Sequence, residues 1–406
     1  MCNAKTLVSI LVILSIAITD MSTDIYAVAL PKIAEYFKSY NSIVQFTIGL
    51  NLIGLSLSGL IYGPLSDQYG RRKVILVGMT IFALASIACC FAQNIMQLIL
   101  MRLIQGFGAG VAVVVGYATI KDMYSGYECS QVISKLNMIV ALSPAIAPII
   151  GSHIISHGYS WRFLFVIISV LSVLTLLSLF FKFKETVDKS KCKDLTLTEL
   201  LCKILKQYIK IFKNYRFLGF TAINSLNFMW IWAYIGNLPF VLIEGMNISA
   251  KYYGYLIAIM IISYMIGAAI NRKFVKKVGI NNMLLIGLFL PLISDLSLIF
   301  LYYNIGLTII IMESFWLIAN VGFAFIISNG VTSALEETEE SGLSLALIAF
   351  MQMIFGAVGV SIVGYFSKIS YSIVPNLLLT VTCSIIAIAI YTLLNFETKY
   401  KNKLIF

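Results

Sequence analysis

Twelve stretches of this chain are long and apolar enough to cross a bilayer, and that repetition constrains its fold more than any other feature. A hydrocarbon core about 30 Å thick takes roughly 20 apolar residues at about 1.5 Å each. The stretches fall near 6–28, 43–64, 74–93, 97–121, 131–156, 162–182, 216–243, 252–271, 281–303, 306–334, 342–366 and 371–394. Of the 406 residues, 60% are hydrophobic and 12% charged, whereas a soluble domain carries roughly 25% charged residues. The expected fold is therefore all-α and integral to the membrane.

One connection is long, 183–215, and it divides the chain into six helices plus six: a bundle at 1–182, a linker, and a bundle at 216–406. The opening "MCNAKTLVSILVILSIAITD" imitates a signal peptide. No small-x-small cleavage site follows and the apolar pattern continues, so it reads as the first spanning helix.

The bases set an orientation. Lys and Arg gather at Arg71, Arg72 and Lys73, through 182–216, at Arg272, Lys273, Lys276 and Lys277, and in the tail "KYKNK"; the alternate connections are nearly base-free. The positive-inside rule places the basic side, and with it both termini, in the cytoplasm. The net charge of +11 is then mainly a topology signal and secondarily an attraction to anionic lipid, not a nucleic-acid footprint.

Within the linker, Leu200, Ile204, Ile211 and Phe212 alternate with Lys203, Lys206 and Lys210, as in a helix lying at the membrane interface, although a solvated tether fits as well. The seven cysteines, Cys2, Cys89, Cys90, Cys129, Cys192, Cys202 and Cys383, have no metal-like or disulfide-framework spacing. His153 and His157 read as interfacial polar residues rather than ligands. No metal site, catalytic residue or cofactor is implied.

Between the second and third apolar stretches stands "GPLSDQYGRRK", residues 63–73. Gly63 and Pro64 are expected to end one helix, Gly70 to supply a turn, and Asp67 to answer Arg71 or Arg72 across it. A mere topology signal needs only the bases. This pattern resembles the signature loop of the major facilitator superfamily, in which such residues latch two pseudo-symmetric six-helix bundles on the cytoplasmic side. The resemblance implies the major facilitator fold, and a weaker copy, "NRKFVKKVG" (271–279), sits at the equivalent connection with Lys276 in the place of Asp67.

The fourth stretch adds "LMRLIQGFGAG", with Arg102 one turn from Gln105 and Gly106. A lone intramembrane Arg costs about 2.5–3.5 kcal/mol on insertion scales and so normally has a partner and a use. Gly106 and Gly110 form a small-xxx-small face for close helix contact. By resemblance Arg102 belongs to a motif linked to proton coupling, and Asp122 in "KDMY" is placed to receive Arg71 or Arg72. In the first stretch Asp20 and Asp24, four apart, share one helix face. Paired carboxylates in a low dielectric resist being ionised together, which suits reversible protonation. The structural alternative has Asp24 simply capping the outer helix end.

"STDIYAVALP" is similar to a pattern of the Bcr/CflA group of drug:proton antiporters: Asp24, Tyr26 and Pro31 match, Val28 replaces a proline, and Asp20 lies outside it. "ALSPAIAPIIG" resembles the same group's proline-rich stretch, where Pro144, Pro148 and Gly151 are expected to bend the fifth helix and free carbonyls. The candidate substrate cavity is read from stripes of amides, aromatics and thioethers: Asn224, Asn227, Trp230, Tyr234 and Asn237 on the seventh helix, Glu313, Trp316, Asn320 and Phe323 on the tenth, and Met351, Gln352 and Met353 on the eleventh, with Tyr26 counted among its residues. Glu313 is placed in the outer third, within reach of water, and Asp295 has no assigned role.

Together these readings imply a monomeric, multi-pass bacterial inner-membrane exporter, taking small molecules and protons as partners and the proton gradient as its energy source. A metabolite exporter or symporter on the same fold is the alternative. A channel or receptor would need no proton pair or latch, and an embedded enzyme would need a convergent His, Ser or metal cluster, which is absent.

Overall fold

In lipid a backbone hydrogen-bonds only to itself, so helices are the sole open-chain solution for apolar stretches of this length. The computed structural model describes residues 4–187, 197–338, 341–367 and 371–404. Among them, twelve helices are long and apolar enough to cross a membrane. Cys2, Cys192 and the charged half of the linker at 188–196 lie outside the described residues, as do the side chains of Leu200, Lys203 and Ile204 and those of "KYKNK".

The helices are α1 (Ala4–Asp24), α2 (Leu30–Phe37), α3 (Asn41–Tyr69), α4 (Arg71–Cys90), α5 (Ile95–Met123), α6 (Gly126–Ser156), α7 (Arg162–Lys182), α8 (Leu197–Phe212), α9 (Tyr215–Pro239), α10 (Ala250–Val278), α11 (Ile280–Asn304), α12 (Ile309–Glu336), α13 (Ser341–Phe366) and α14 (Val374–Leu404). A span runs through α1 and α2 together, Lys5–Phe37, longer than the expected 6–28 because the helix breaks and resumes. Pro31 sits in the first turn of α2 and cannot donate to the carbonyl four residues back, and a 3-10 turn at Ala27–Ala29 takes up the mismatch.

Two compact units result: Met1–Ile204 with Leu242–Tyr255, and Leu205–Val241 with Leu256–Phe406. The first unit thus extends past the expected boundary at 182 into α8, and it takes a short segment following α9. In α8, Tyr208 and Ile211 are buried while Leu205, Ile209 and Phe212 are exposed beside Lys206 and Lys210, so its apolar residues divide between two directions.

Helix pairings repeat in the two units. In the first, α1 packs on α5, α6 and α7, and α4 packs on α5 and α7; in the second, α9 packs on α12, α13 and α14, and α11 packs on α12 and α14. The two six-helix bundles are built to one plan. Lipid tails are as apolar as leucine, so close packing and hydrogen bonds between helices hold each bundle. The α3–α5 crossing depends on this closeness: a side chain at Gly106 would strike the Asn51 carbonyl, and one at Gly54 would strike the Leu103 carbonyl.

Candidate functional site

The break after α1 organises the interior of the first unit. Asp24 is the last residue of α1, and two residues on, the fully buried Tyr26 hydrogen-bonds through its hydroxyl with the Thr47 hydroxyl of α3 at 3.1 Å. Arg102 of α5 lays its guanidinium over the Tyr26 ring, 4.1 Å from the centroid. Its Nη1 donates to Gln105 Oε1 at 2.6 Å and to the Ser22 carbonyl at 3.1 Å, while Gln105 in turn donates to Ser86 of α4 at 2.7 Å. Asn51 of α3 donates to the Arg102 carbonyl at 2.9 Å. Four helices therefore fix one buried cation.

That cation is incompletely answered. Arg102 is fully buried, its Nε and Nη2 make no hydrogen bond, and among the described residues no carboxylate lies at ion-pair distance. The Tyr26 ring offsets about 2 kcal/mol of the cost for a desolvated contact, which leaves part of the burial penalty standing. Asp24, half-buried, lies within electrostatic range of Arg102, and Asp20, one turn earlier, is close to Tyr117 of α5. The fifth spanning helix, α6, carries Pro144 and Pro148 inside it, and its Gly151 lies against the Ile25 carbonyl at the break. The fold brings Asp20, Asp24, Tyr26 and Arg102 into one region.

At the other end of α3, the expected loop is a corner of one residue. Helix α3 continues through Gly63, Pro64 and Asp67 to Tyr69, and α4 begins at Arg71, so "GPLSDQYGRRK" is two helix ends joined at Gly70. Gly63 does not end the helix, and Pro64 is accommodated within it. Gly70 alone reverses the chain, with φ 96° and ψ 144°, a region essentially restricted to glycine.

Arg71 gathers the polar groups around this corner. It pairs with Asp67 one turn back, donates from Nε to Asp122 Oδ2 of α5 at 2.9 Å and from Nη1 to the Ser66 hydroxyl at 2.6 Å. Arg72 turns to the end of α7 and donates to the carbonyls of Phe183 and Phe180, each at 2.8 Å. The expected alternatives thus resolve onto Arg71 for both acids. Glu185 was not anticipated: it accepts from the backbone N–H groups of Arg71 at 2.9 Å and Arg72 at 3.3 Å, closing the N-terminus of α4 with a carboxylate. Only the return of the chain after α7 puts it there, and no local motif announces it.

In the second unit the amide and aromatic stripes meet as a buried cluster. Trp230 Nε1 donates to Asn227 Oδ1 at 3.0 Å, and Tyr234 packs edge-on against Trp230 and Trp316, with centroids 5.8 and 4.8 Å away. Asn227 and Asn320 also donate back to carbonyls of their own helices, those of Ile223 and Trp316. Gln352 of α13 is buried, and Met351 beside it is half-buried. Glu313 departs from its expected wet position: it is 8% exposed and neither oxygen finds a hydrogen-bond partner. Helix α12 packs against α9 and α11 there, with Trp316 against Tyr234 and the Phe315 carbonyl accepting from Ser294, and this cover buries Glu313. Asp295, unassigned from sequence, is fully buried and accepts from the Tyr234 hydroxyl at 2.9 Å.

Residues 12–360 match the Major Facilitator Superfamily. The chain is 28% identical to the bicyclomycin resistance protein homolog of Haemophilus influenzae, with 93% of this chain and 94% of that protein covered. It is 26% identical to the chloramphenicol resistance protein CraA of Acinetobacter baumannii, over 69% of this chain and 66% of that one. Among solved structures, a bacterial homolog of the human lysosomal transporter Spinster superposes with a TM-score of 0.73 at 14% identity, covering 97% of both chains. The xylose transporter XylE of Escherichia coli gives 0.71 at 15% identity, covering 94% of this chain and 96% of that one. The last two likenesses concern the fold.

Proposed function

We propose that this chain, which belongs to the Major Facilitator Superfamily, is a proton-coupled exporter of small amphipathic drug-like molecules, working by alternating access in a bacterial inner membrane. The observation that carries this reading is Arg102: a buried cation with two unsatisfied N–H-bearing nitrogens, laid over Tyr26 in the helix break that begins after Asp24. The kinds of relatives it has, named for resistance to bicyclomycin and chloramphenicol, support the substrate class.

In this mechanism the proton and the substrate bid for one electrostatic arrangement. With Asp24 ionised, Arg102 has a carboxylate to turn towards, and its free N–H groups are answered. A proton entering from outside at the Asp20–Asp24 pair removes that attraction once it rests on Asp24, and Arg102 returns to the Tyr26 ring. Each proton moved inward contributes about 2.3 kcal/mol per 100 mV of membrane potential, in addition to the pH gradient. The cluster of Asn227, Trp230, Tyr234, Trp316 and Asn320 supplies aromatic and amide surface for molecules of varied shape, with Met351 and Gln352 beside it. The Gly70 corner lies at the cytoplasmic face, and its Arg71 network holds α3, α4 and α5 together as one rigid end while the site changes sides.

A susceptibility panel tests the reading. In a host stripped of its own exporters, the intact chain should raise resistance to several amphipathic antibiotics, and Arg102→Ala should abolish the gain at equal expression. Equal resistance from the two would remove Arg102 from the mechanism.

A further inference from the structure

Asp295 is the only charged residue of α11, and it stands near the middle of that helix with no exposed surface. Among the described residues no cation lies at ion-pair distance from it. On α9 the facing group is the Tyr234 hydroxyl, which donates to Oδ2 at 2.9 Å, and on α14 it is Thr380, also fully buried. On α12 the only charged residues are the acids Glu313 and Glu336. The single base of α9, Arg216, sits in its first turn and is paired with Glu337 at 2.9 Å. From Val374 to Phe396, α14 has no charged residue. The second oxygen, Oδ1, makes no hydrogen bond.

An ionised carboxylate in such a place carries an effective penalty of several kcal/mol, and the neutral hydroxyls of Tyr234 and Thr380 do not offset it. Structural needs would be met more cheaply by an amide or an apolar residue. Acids inside a membrane span that are neither paired nor solvated mark proton paths more often than packing. Asp295 is also not isolated from the candidate substrate surface: Tyr234 touches it with its hydroxyl and touches Trp316 and Trp230 with its ring.

We propose that Asp295 is a second proton-carrying site, housed in the second bundle and linked through Tyr234 to the aromatic cluster. The inference rests on the reading of the chain as a proton-coupled exporter. The buried form is the neutral, proton-bearing one. The proton leaves one Asp295 oxygen when that oxygen gains access to water, and it is replaced from the opposite aqueous phase, with no other bond made or broken. When the carboxyl loses its proton, Tyr234 must hold its hydroxyl on the new charge, and when the proton returns the hydroxyl is released. Substrate resting against the Tyr234 ring and the proton on Asp295 are thereby coupled.

The experiment counts protons moved per substrate in vesicles reconstituted with the full chain, using a pH-sensitive dye and ethidium as a fluorescent amphipathic cation. Wild type is compared with Asp295→Asn, with Tyr234→Phe as the variant that keeps the acid and cuts its link. The expected result is a proton-to-substrate ratio lowered by about one in Asp295→Asn and lowered in Tyr234→Phe. Infrared difference spectra of the purified chain should contain a protonated-carboxyl C=O band that Asp295→Asn removes. An unchanged ratio in either variant, or a band that survives Asp295→Asn, overturns the proposal. Should wild type move no protons with substrate, the proton-coupled reading itself fails, an outcome distinct from wild type moving protons that Asp295→Asn leaves unaltered in number.

Discussion

The glycine corners at Gly70 and Gly279 share a backbone and differ in everything around it. Gly70, between α3 and α4, has φ 96° and ψ 144°; Gly279, at the equivalent place between α10 and α11, has φ 89° and ψ 151°. Around Gly70 stand Asp67, Arg71, Arg72, Asp122 and Glu185, and a side chain added to it would strike the Glu185 carboxylate. Around Gly279 stand Lys276 and Lys277, and a side chain there would meet open space. A glycine-only conformation is enough to turn one long helix into the next. The charge network is a separate addition, seen among the described residues around Gly70 and not around Gly279.

This contrast breaks first at the glycines. Gly70→Ala and Gly279→Ala each incur about 1–3 kcal/mol of backbone strain, but only Gly70→Ala also displaces Glu185 from the start of α4. Thermal unfolding of the purified variants should show the larger loss for Gly70→Ala, with transport abolished there and retained in Gly279→Ala. Equal losses would mean that Glu185 contributes nothing.

Smaller effects sharpen the comparison within the Arg71 network. Arg71 has 9% of its side chain exposed, Asp122 26% and Asp67 67%. Exposed pairs are worth about 0–1 kcal/mol, so the expected order of impairment in transport assays is Arg71→Ala, then Asp122→Asn, then Asp67→Asn. Added salt should narrow the gap between wild type and Asp67→Asn most, since that pair is the best solvated. If Asp67→Asn proved as damaging as Arg71→Ala, the acid would have a role beyond this ion pair.

Much of the fold is legible in the chain because its signals are local. Twelve runs of apolar residues specify twelve helices, and 162–182 and 342–366 agree to the residue with the observed spans. Asp67 and Arg71 are legible because one helix turn separates them, and Asp122, 51 positions from Arg71, because α5 ends on the same side as the corner. What sequence does not reveal depends on packing between distant segments. Glu185 reaches Arg71 only after α7 has returned to that end, and Glu313 is buried because neighbouring helices cover it. Asp295 is conspicuous as a lone charge in an apolar helix, yet its meaning depends on Tyr234, 61 positions away in the chain. Pro31, whose missing N–H removes one helix hydrogen bond, is the local signal for the break at Tyr26, but Pro64, Pro144 and Pro148 stay inside continuous helices, so the proline alone does not specify it.

The most direct test of the central claim is proton movement on substrate addition in vesicles loaded with a pH-sensitive dye, comparing wild type with Asp24→Asn. The account predicts an immediate, substrate-dependent proton flux through wild type and none through Asp24→Asn at equal protein content. Identical proton fluxes through the two would contradict it.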